Sequence, residues 1–98
     1  MPFRHVVLMT FADGLDHEFV QTVRERLNQL PQDIDVIRTF VHGADVGISE
    51  GNHDYAVIAD FDNVDDYRTY RDHPQHLLFI AEILTGHVVD RSAILVKS

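Results

Sequence analysis

The sequence contains no cysteine and no tryptophan among its 98 residues. The lack of cysteine excludes a disulfide scaffold, a cysteine-based zinc site, an iron–sulfur cluster and a thiol nucleophile. It is also typical of intracellular proteins, so we expect a cytoplasmic location. A chain this short is expected to form one domain over residues 1–98, with a small core that a partner chain would extend.

Basic residues are also scarce, with eight Lys and Arg against sixteen Asp and Glu and a net charge of −8. Nucleic acids and anionic membranes are bound largely through clustered basic side chains, so we expect neither as a partner. No apolar run approaches the length that crosses a membrane. Residues 1–11 lack the long apolar stretch and the cleavage site of a signal peptide.

Four segments carry the period-two alternation of strands. Helical spacing follows the first and third of them, whereas a loop with three glycines, residues 43–52, follows the second. The first helix is expected to begin after Asp16 and to stop at Pro31. A second helix ends at a break at His73, and a third covers residues 74–85 with Gly86 as its C-cap. The predicted strands are residues 3–11, 35–42, 55–61 and 87–97.

This order predicts an α+β, ferredoxin-like fold, the split βαβ arrangement, with a four-stranded antiparallel sheet and helices on one face. Residues 3–11 and 55–61 are apolar on both faces, and residues 77–84 are apolar almost all round. One monomer would leave this apolar surface exposed. We therefore expect a homodimer in which two sheets pack together as a dimeric α+β barrel.

Histidine is abundant, with seven copies, and its side chain titrates near neutral pH. His5 shares a strand face with apolar residues, so it is either a hydrogen-bonded core residue or a pocket residue. Four other histidines fall at predicted element ends or in loops, where we expect solvated side chains without a role. They are His17, His42, His53 and His87.

The densest cluster of reactive side chains is Tyr-Arg-Thr-Tyr-Arg-Asp-His-Pro-Gln-His at residues 67–76. The helix break brings Tyr70 next to the first helical turn that holds His76. A helix N-terminus disfavours the imidazolium, so His76 is expected to be a neutral base, with Tyr70 as a hydroxyl donor. The alternative is that both side chains only cap and pack the helix junction. We expect His5, Tyr70 and His76 to line one pocket between sheet and helices.

A zinc site at His73 and His76, with Asp72, is the competing interpretation of the cluster. Helical zinc sites favour histidines four apart, whereas these are three apart across a proline. The sequence also lacks a serine nucleophile motif, a phosphate loop and a dinucleotide fingerprint. We therefore expect no metal and no organic cofactor.

Four stretches carry a resemblance to a known family: residues 4–8, 43–45, 55–61 and above all the His-Pro-Gln-His element with its upstream tyrosine. On these stretches the chain resembles the stress-responsive A/B barrel (Dabb) proteins, which are small dimeric α+β barrels. One enzymatic member type, the plant olivetolic acid cyclase, closes a linear polyketide by aldol condensation without a cofactor.

The resemblance implies that the working residues of that cyclase fall on His5, Tyr70 and His76. A further histidine of the cyclase falls near Tyr55, where this sequence departs from the pattern, so Tyr55 and His73 are expected only as additional pocket residues. Two functions stay open. The first is a stress-type dimer that binds a small apolar or aromatic-precursor ligand. The alternative is a cofactor-free polyketide cyclase or lyase with a histidine general base and a tyrosine.

Overall fold

The computed structural model describes residues 2–98, which form a four-stranded sheet and three α-helices. The strands are β1 (Phe3–Phe11), β2 (Thr39–Ala44), β3 (Tyr55–Phe61) and β4 (Val88–Lys97); the helices are α1 (His17–Asp33), α2 (Val64–Asp72) and α3 (Pro74–Phe79), and a π-helical turn covers Ile80–Leu84. All strand pairs are antiparallel, in the order β2-β3-β1-β4. The predicted ferredoxin-like fold is therefore confirmed. None of the helices within residues 2–98 has the length and apolar character needed to cross a membrane.

The prediction that Pro31 stops the first helix is wrong. Pro31 lies inside the last turn of α1, which continues to Asp33. Proline cannot donate a helical hydrogen bond, but the turn is held by the Ile34 N–H, which donates to the Leu30 carbonyl at 2.8 Å. The Leu30 and Ile34 side chains are only 2% and 1% exposed. Their burial outweighs the single missing bond.

Two other boundaries also differ from the prediction. β2 begins at Thr39 rather than at residue 35, because the Ile37 N–H donates to the Ile34 carbonyl at 3.3 Å and closes a turn there. The helix predicted over residues 74–85 is divided, since α3 ends at Phe79 and a π-helical turn follows. In that turn the Thr85 N–H donates to the Ile80 carbonyl at 2.9 Å, the spacing of a π-helix.

The helix break at His73 is confirmed. His73 has extended backbone angles, φ −64° and ψ 136°, and the Gln75 N–H donates to its Nδ1 at 3.1 Å. Thr85, not Gly86, is the C-cap of the π-helical turn, but Gly86 follows it with a φ of +83°, the left-handed conformation that favours glycine.

One face of the sheet, here called the helix face, carries the core. Alternate residues of β1 and β3 are buried beneath the helices, and α1 adds Val23, Leu27 and Leu30. Apart from the core tyrosines Tyr55 and Tyr70, His5 is the one buried polar side chain within residues 2–98, at 8% exposed. The buried strand residues are His5, Val7, Met9, Phe11, Tyr55, Val57, Ala59 and Phe61.

The opposite face, here called the open face, carries no helix. An apolar row crosses all four strands through the directly paired residues Val41, Ile58, Val6 and Ile94. Val41 and Ile94 are 61% and 59% exposed. An exposed apolar row of this kind marks an interaction surface.

Candidate functional site

A cavity of about 550 Å³ lies between the helix face of the sheet and the corner formed by α2, α3 and the π-helical turn. This volume falls within the roughly 300–1,000 Å³ of small-molecule sites. Its wall is mainly apolar, with Val7, Met9, Leu27, Val57, Phe79 and Leu84 among the contributing residues. The polar side chains at the cavity are His5, Tyr67, Tyr70, Arg71, Asp72, His76, Thr85 and Arg91.

His5 reaches the cavity from β1. Its ring centroid lies 5.0 Å from that of Tyr67 and 6.5 Å from that of Tyr70. Burial lowers the pKa of His5 to about 4, with smaller contributions from the charges of Arg91 and His76. His5 is therefore neutral at physiological pH and forms part of the pocket wall.

Tyr70 lies in the last turn of α2 and is 3% exposed. Burial raises its pKa, so the side chain stays a phenol that can donate a hydrogen bond. No side-chain polar atom within residues 2–98 is both fully buried and unpaired. The Tyr70 hydroxyl and the ring nitrogens of His5 form no hydrogen bond with those residues, so they keep access to the cavity.

His76 lies in α3 against Tyr70, with 4.3 Å between the ring centroids. Its Nδ1 is 3.0 Å from the carbonyl oxygen of Arg71. A carbonyl can only accept, so Nδ1 carries the hydrogen, and Nε2 of the neutral ring has a free lone pair. The backbone thereby orients His76 with its basic nitrogen available.

The pKa of His76 is lowered, mainly by burial and further by the charge of Arg91, while the hydrogen bond to Arg71 opposes the shift. From the sequence, a neutral His76 was predicted because of its place at a helix N-terminus. The lowered pKa of His76 agrees with this prediction, but its main physical cause is burial in the cavity wall.

The structure brings His5, Tyr70 and His76 to one cavity, from β1, α2 and α3 respectively. It does not bring Tyr55 or His73 there. Tyr55 is 1% exposed and does not line the cavity, and its hydroxyl is 2.7 Å from Nδ1 of His42. The His73 ring caps α3 instead. The expectation that these two residues line the pocket is therefore corrected.

Several polar cavity residues were given no pocket role from the sequence, and Tyr67 and Arg91 are two of them. Tyr67 lies one helical turn before Tyr70, so helical spacing could have found it. Arg91 faces the cavity because β4 pairs it with Met9, and only the strand register reveals this. His42 was expected to be solvated, yet its Nε2 is also 2.7 Å from Oδ1 of Asn28, so both ring nitrogens are paired.

Residues 2–98 contain no group of three His, Asp or Glu side chains arranged to hold a metal ion. His76 directs Nδ1 to a backbone carbonyl, and His73 directs Nδ1 to the Gln75 N–H. These two ring nitrogens are therefore engaged within the fold. That no metal or organic cofactor is needed stays a prediction.

Residues 3–94 match the family model described as Stress responsive A/B Barrel Domain. The chain belongs to this family. The match covers nearly all of the structure described above, including every strand and helix except the end of β4. The family resemblance read from the sequence is confirmed.

Solved structures share the fold of this A/B barrel protein. A dimeric ferredoxin-like protein of unknown function from Thermobifida fusca is 36% identical, with a TM-score of 0.92 over 100% of this chain and 92% of that chain. A dimeric protein of unknown function with a ferredoxin-like fold from Bacteroides fragilis is 28% identical, with a TM-score of 0.84 over 99% and 96%. A hydroxynitrile lyase from Passiflora edulis is 16% identical, with a TM-score of 0.83 over 97% and 91%, a likeness that shows the fold alone. Among curated proteins, none matches the chain.

We expect a titration of this A/B barrel protein by NMR to give His5 a pKa of about 4 and His76 a pKa below the ordinary 6.5. Because folding lowers the pKa of His5, the unfolded chain binds this proton more tightly. The contribution of His5 to the free energy of unfolding should therefore be complete above pH 6.5, and it should be lost as the pH decreases towards 4.

The variant His5→Phe keeps an aromatic ring at this position and removes the titrating group. Its loss of stability over the same pH interval should be smaller than that of the wild-type protein. A His5 pKa at or above 6.5 would show that the ring is solvated and would contradict the pocket geometry.

Proposed function

We propose that this protein is a homodimer of the stress-response type that binds a small, largely apolar ligand in the cavity beneath its helices. The observation that carries the proposal is the cavity itself, about 550 Å³ with a mainly apolar wall. His5, Tyr70 and His76 present neutral polar groups to it. Ligand sites commonly combine an apolar wall with a few placed polar groups.

The homodimer is supported by the open face. Its row of exposed apolar side chains would cost free energy in water and would be covered by the same face of a second copy. Beside the row, the Arg4 guanidinium donates to both carboxylate oxygens of Asp60, at 2.8 and 2.9 Å, so these charges are already paired at the edge of the apolar patch. The Thermobifida fusca and Bacteroides fragilis proteins are both described as dimeric.

We expect light scattering to give the wild-type protein about twice the chain mass of 11.2 kDa. Ile94→Asp places a charge at the β4 end of the apolar row and should convert the dimer to a monomer. Because Ile94 is 59% exposed in the single chain, the substitution leaves the core of the monomer intact. The control is Val46→Asp, since Val46 is 83% exposed in a loop. A dimer that survives Ile94→Asp, or a wild-type monomer, would contradict the proposed interface.

A second candidate function, proton-transfer catalysis, is favoured by the orientation of His76. With Nδ1 held by the Arg71 carbonyl, Nε2 is free to remove a proton from a carbon next to a carbonyl group. The carbonyl then becomes an enolate, whose oxygen would accept a hydrogen bond from the Tyr70 hydroxyl. His5, on β1, would help to orient the ligand from the sheet side of the cavity. This chemistry serves a cofactor-free aldol-type cyclase or a lyase, and a hydroxynitrile lyase shares the fold.

Both functions can be tested with methyl hexyl ketone, a carbonyl compound with an apolar tail. Met9 lies in the cavity wall, so its methyl NMR signal should shift when the ketone binds. In deuterated water, the wild-type protein should also speed exchange of the protons next to the carbonyl. His76→Ala should retain binding and lose about two to four orders of magnitude of the exchange rate, the usual contribution of a general base.

The matched control is His17→Ala, because His17 is an exposed histidine at the start of α1. It should match the wild-type protein in both measurements. Binding without exchange in the wild-type protein would refute the catalytic candidate and leave the ligand-binding proposal standing. A Met9 signal that does not respond to the ketone would count against ligand binding in this cavity.

A further inference from the structure

Arg91 lines the cavity and has no role in the proposed function. It lies on β4, directly opposite Met9 of β1 in the antiparallel register. Directly paired residues place their side chains on the same face of a sheet, and Met9 is buried on the helix face at 1% exposed. Arg91 therefore faces the cavity from the edge strand, while remaining exposed to solvent at the cavity mouth.

The net charge of the cavity wall comes from Arg91. The other two formally charged wall residues, Arg71 and Asp72, neutralise each other through two hydrogen bonds of 2.9 Å. Within residues 2–98, Arg91 forms no ion pair with an acidic side chain. His5 and His76 are neutral, so the cavity carries one positive charge on a chain whose net charge is −8.

The positive charge of Arg91 reaches the interior of the cavity. It lowers the pKa of both His5 and His76 and opposes the effect of burial on the pKa of Tyr70. These groups come from three elements packed around the cavity: β1, α2 and α3. An anionic group placed near them would be attracted by the charge of Arg91. At His76 the charge of Asp72 opposes that of Arg91, but at His5 and Tyr70 no acidic side chain of residues 2–98 contributes to the pKa shift.

We propose that the cavity selects ligands with a carboxylate head and an apolar tail, and that Arg91 binds the carboxylate at the mouth while the tail enters the apolar interior. This proposal rests on the ligand-binding function proposed above. A guanidinium presents a planar fork of N–H donors that matches both oxygens of a carboxylate. Arg91 is thus the specificity-determining residue of the site, and the wall that includes Val7, Met9 and Val57 receives the tail.

The test compares octanoate with octanamide, which has the same tail and a neutral head. Selective methyl labelling of methionine gives two signals, from Met1 and Met9, and the Met9 signal reports occupancy of the cavity. We expect the wild-type protein to bind octanoate about tenfold more tightly than octanamide, the effect of one charge-assisted hydrogen-bonded pair at a partly exposed site.

Arg91→Gln should weaken octanoate binding by about tenfold and leave octanamide binding within about twofold of the wild-type value. Arg91→Lys keeps the charge without the planar fork, so it should restore part of the preference. The control is Arg68→Gln, which removes the same charge from an exposed arginine of α2 that pairs with Asp65 and does not line the cavity. This variant should behave as the wild-type protein does.

Any of the following outcomes would overturn the proposal that Arg91 selects carboxylate ligands. Equal affinity for octanoate and octanamide, or a preference that persists in Arg91→Gln, refutes carboxylate recognition by Arg91 and leaves ligand binding in the cavity intact. Equal weakening by Arg68→Gln would show a general charge effect rather than a site at Arg91. If neither compound moves the Met9 signal, carboxylate selection and the ligand-binding function fail together.

Discussion

The burial of one side of β1 is the constraint on which the rest of the structure depends. β1 pairs with β3 on one edge and with β4 on the other, so its pleat sets which side chains of all three strands face the helices. Val7 and Met9 are buried on this face. The same alternation along β1 places His5 at the cavity, and the pairing of Met9 with β4 places Arg91 there. A shift of one residue would move His5 to the open face and remove the site.

The order of the elements could be predicted from the sequence because hydrophobic periodicity is a local signal. The break at His73 was predicted for a similar reason, since Pro74 restricts the backbone of the residue before it. The end of α1 could not be predicted, because Pro31 is tolerated only through the burial of Leu30 and Ile34 against other elements. The π-helical turn has no comparable signal in the sequence.

The candidate site was also predicted only in part. His5, Tyr70 and His76 could be placed because each lies near a recognisable local feature: an apolar strand face, a helix end and a helix start. The position of Arg91 depends on the pairing of β4 with β1, which sequence periodicity does not determine. Tyr55 was expected at the pocket from the family pattern, but its hydroxyl is bound by His42, whose place on β2 follows from tertiary packing.

The chemistry of the cavity depends most on a neutral imidazole at His76 whose Nε2 keeps its lone pair free. The most direct test is the tautomeric state of His76, measured at neutral pH by long-range nitrogen–proton NMR correlation in the labelled protein. We expect a neutral ring with the hydrogen on Nδ1, which donates to the Arg71 carbonyl oxygen 3.0 Å away. A charged ring, or a neutral ring with the hydrogen on Nε2, would contradict it.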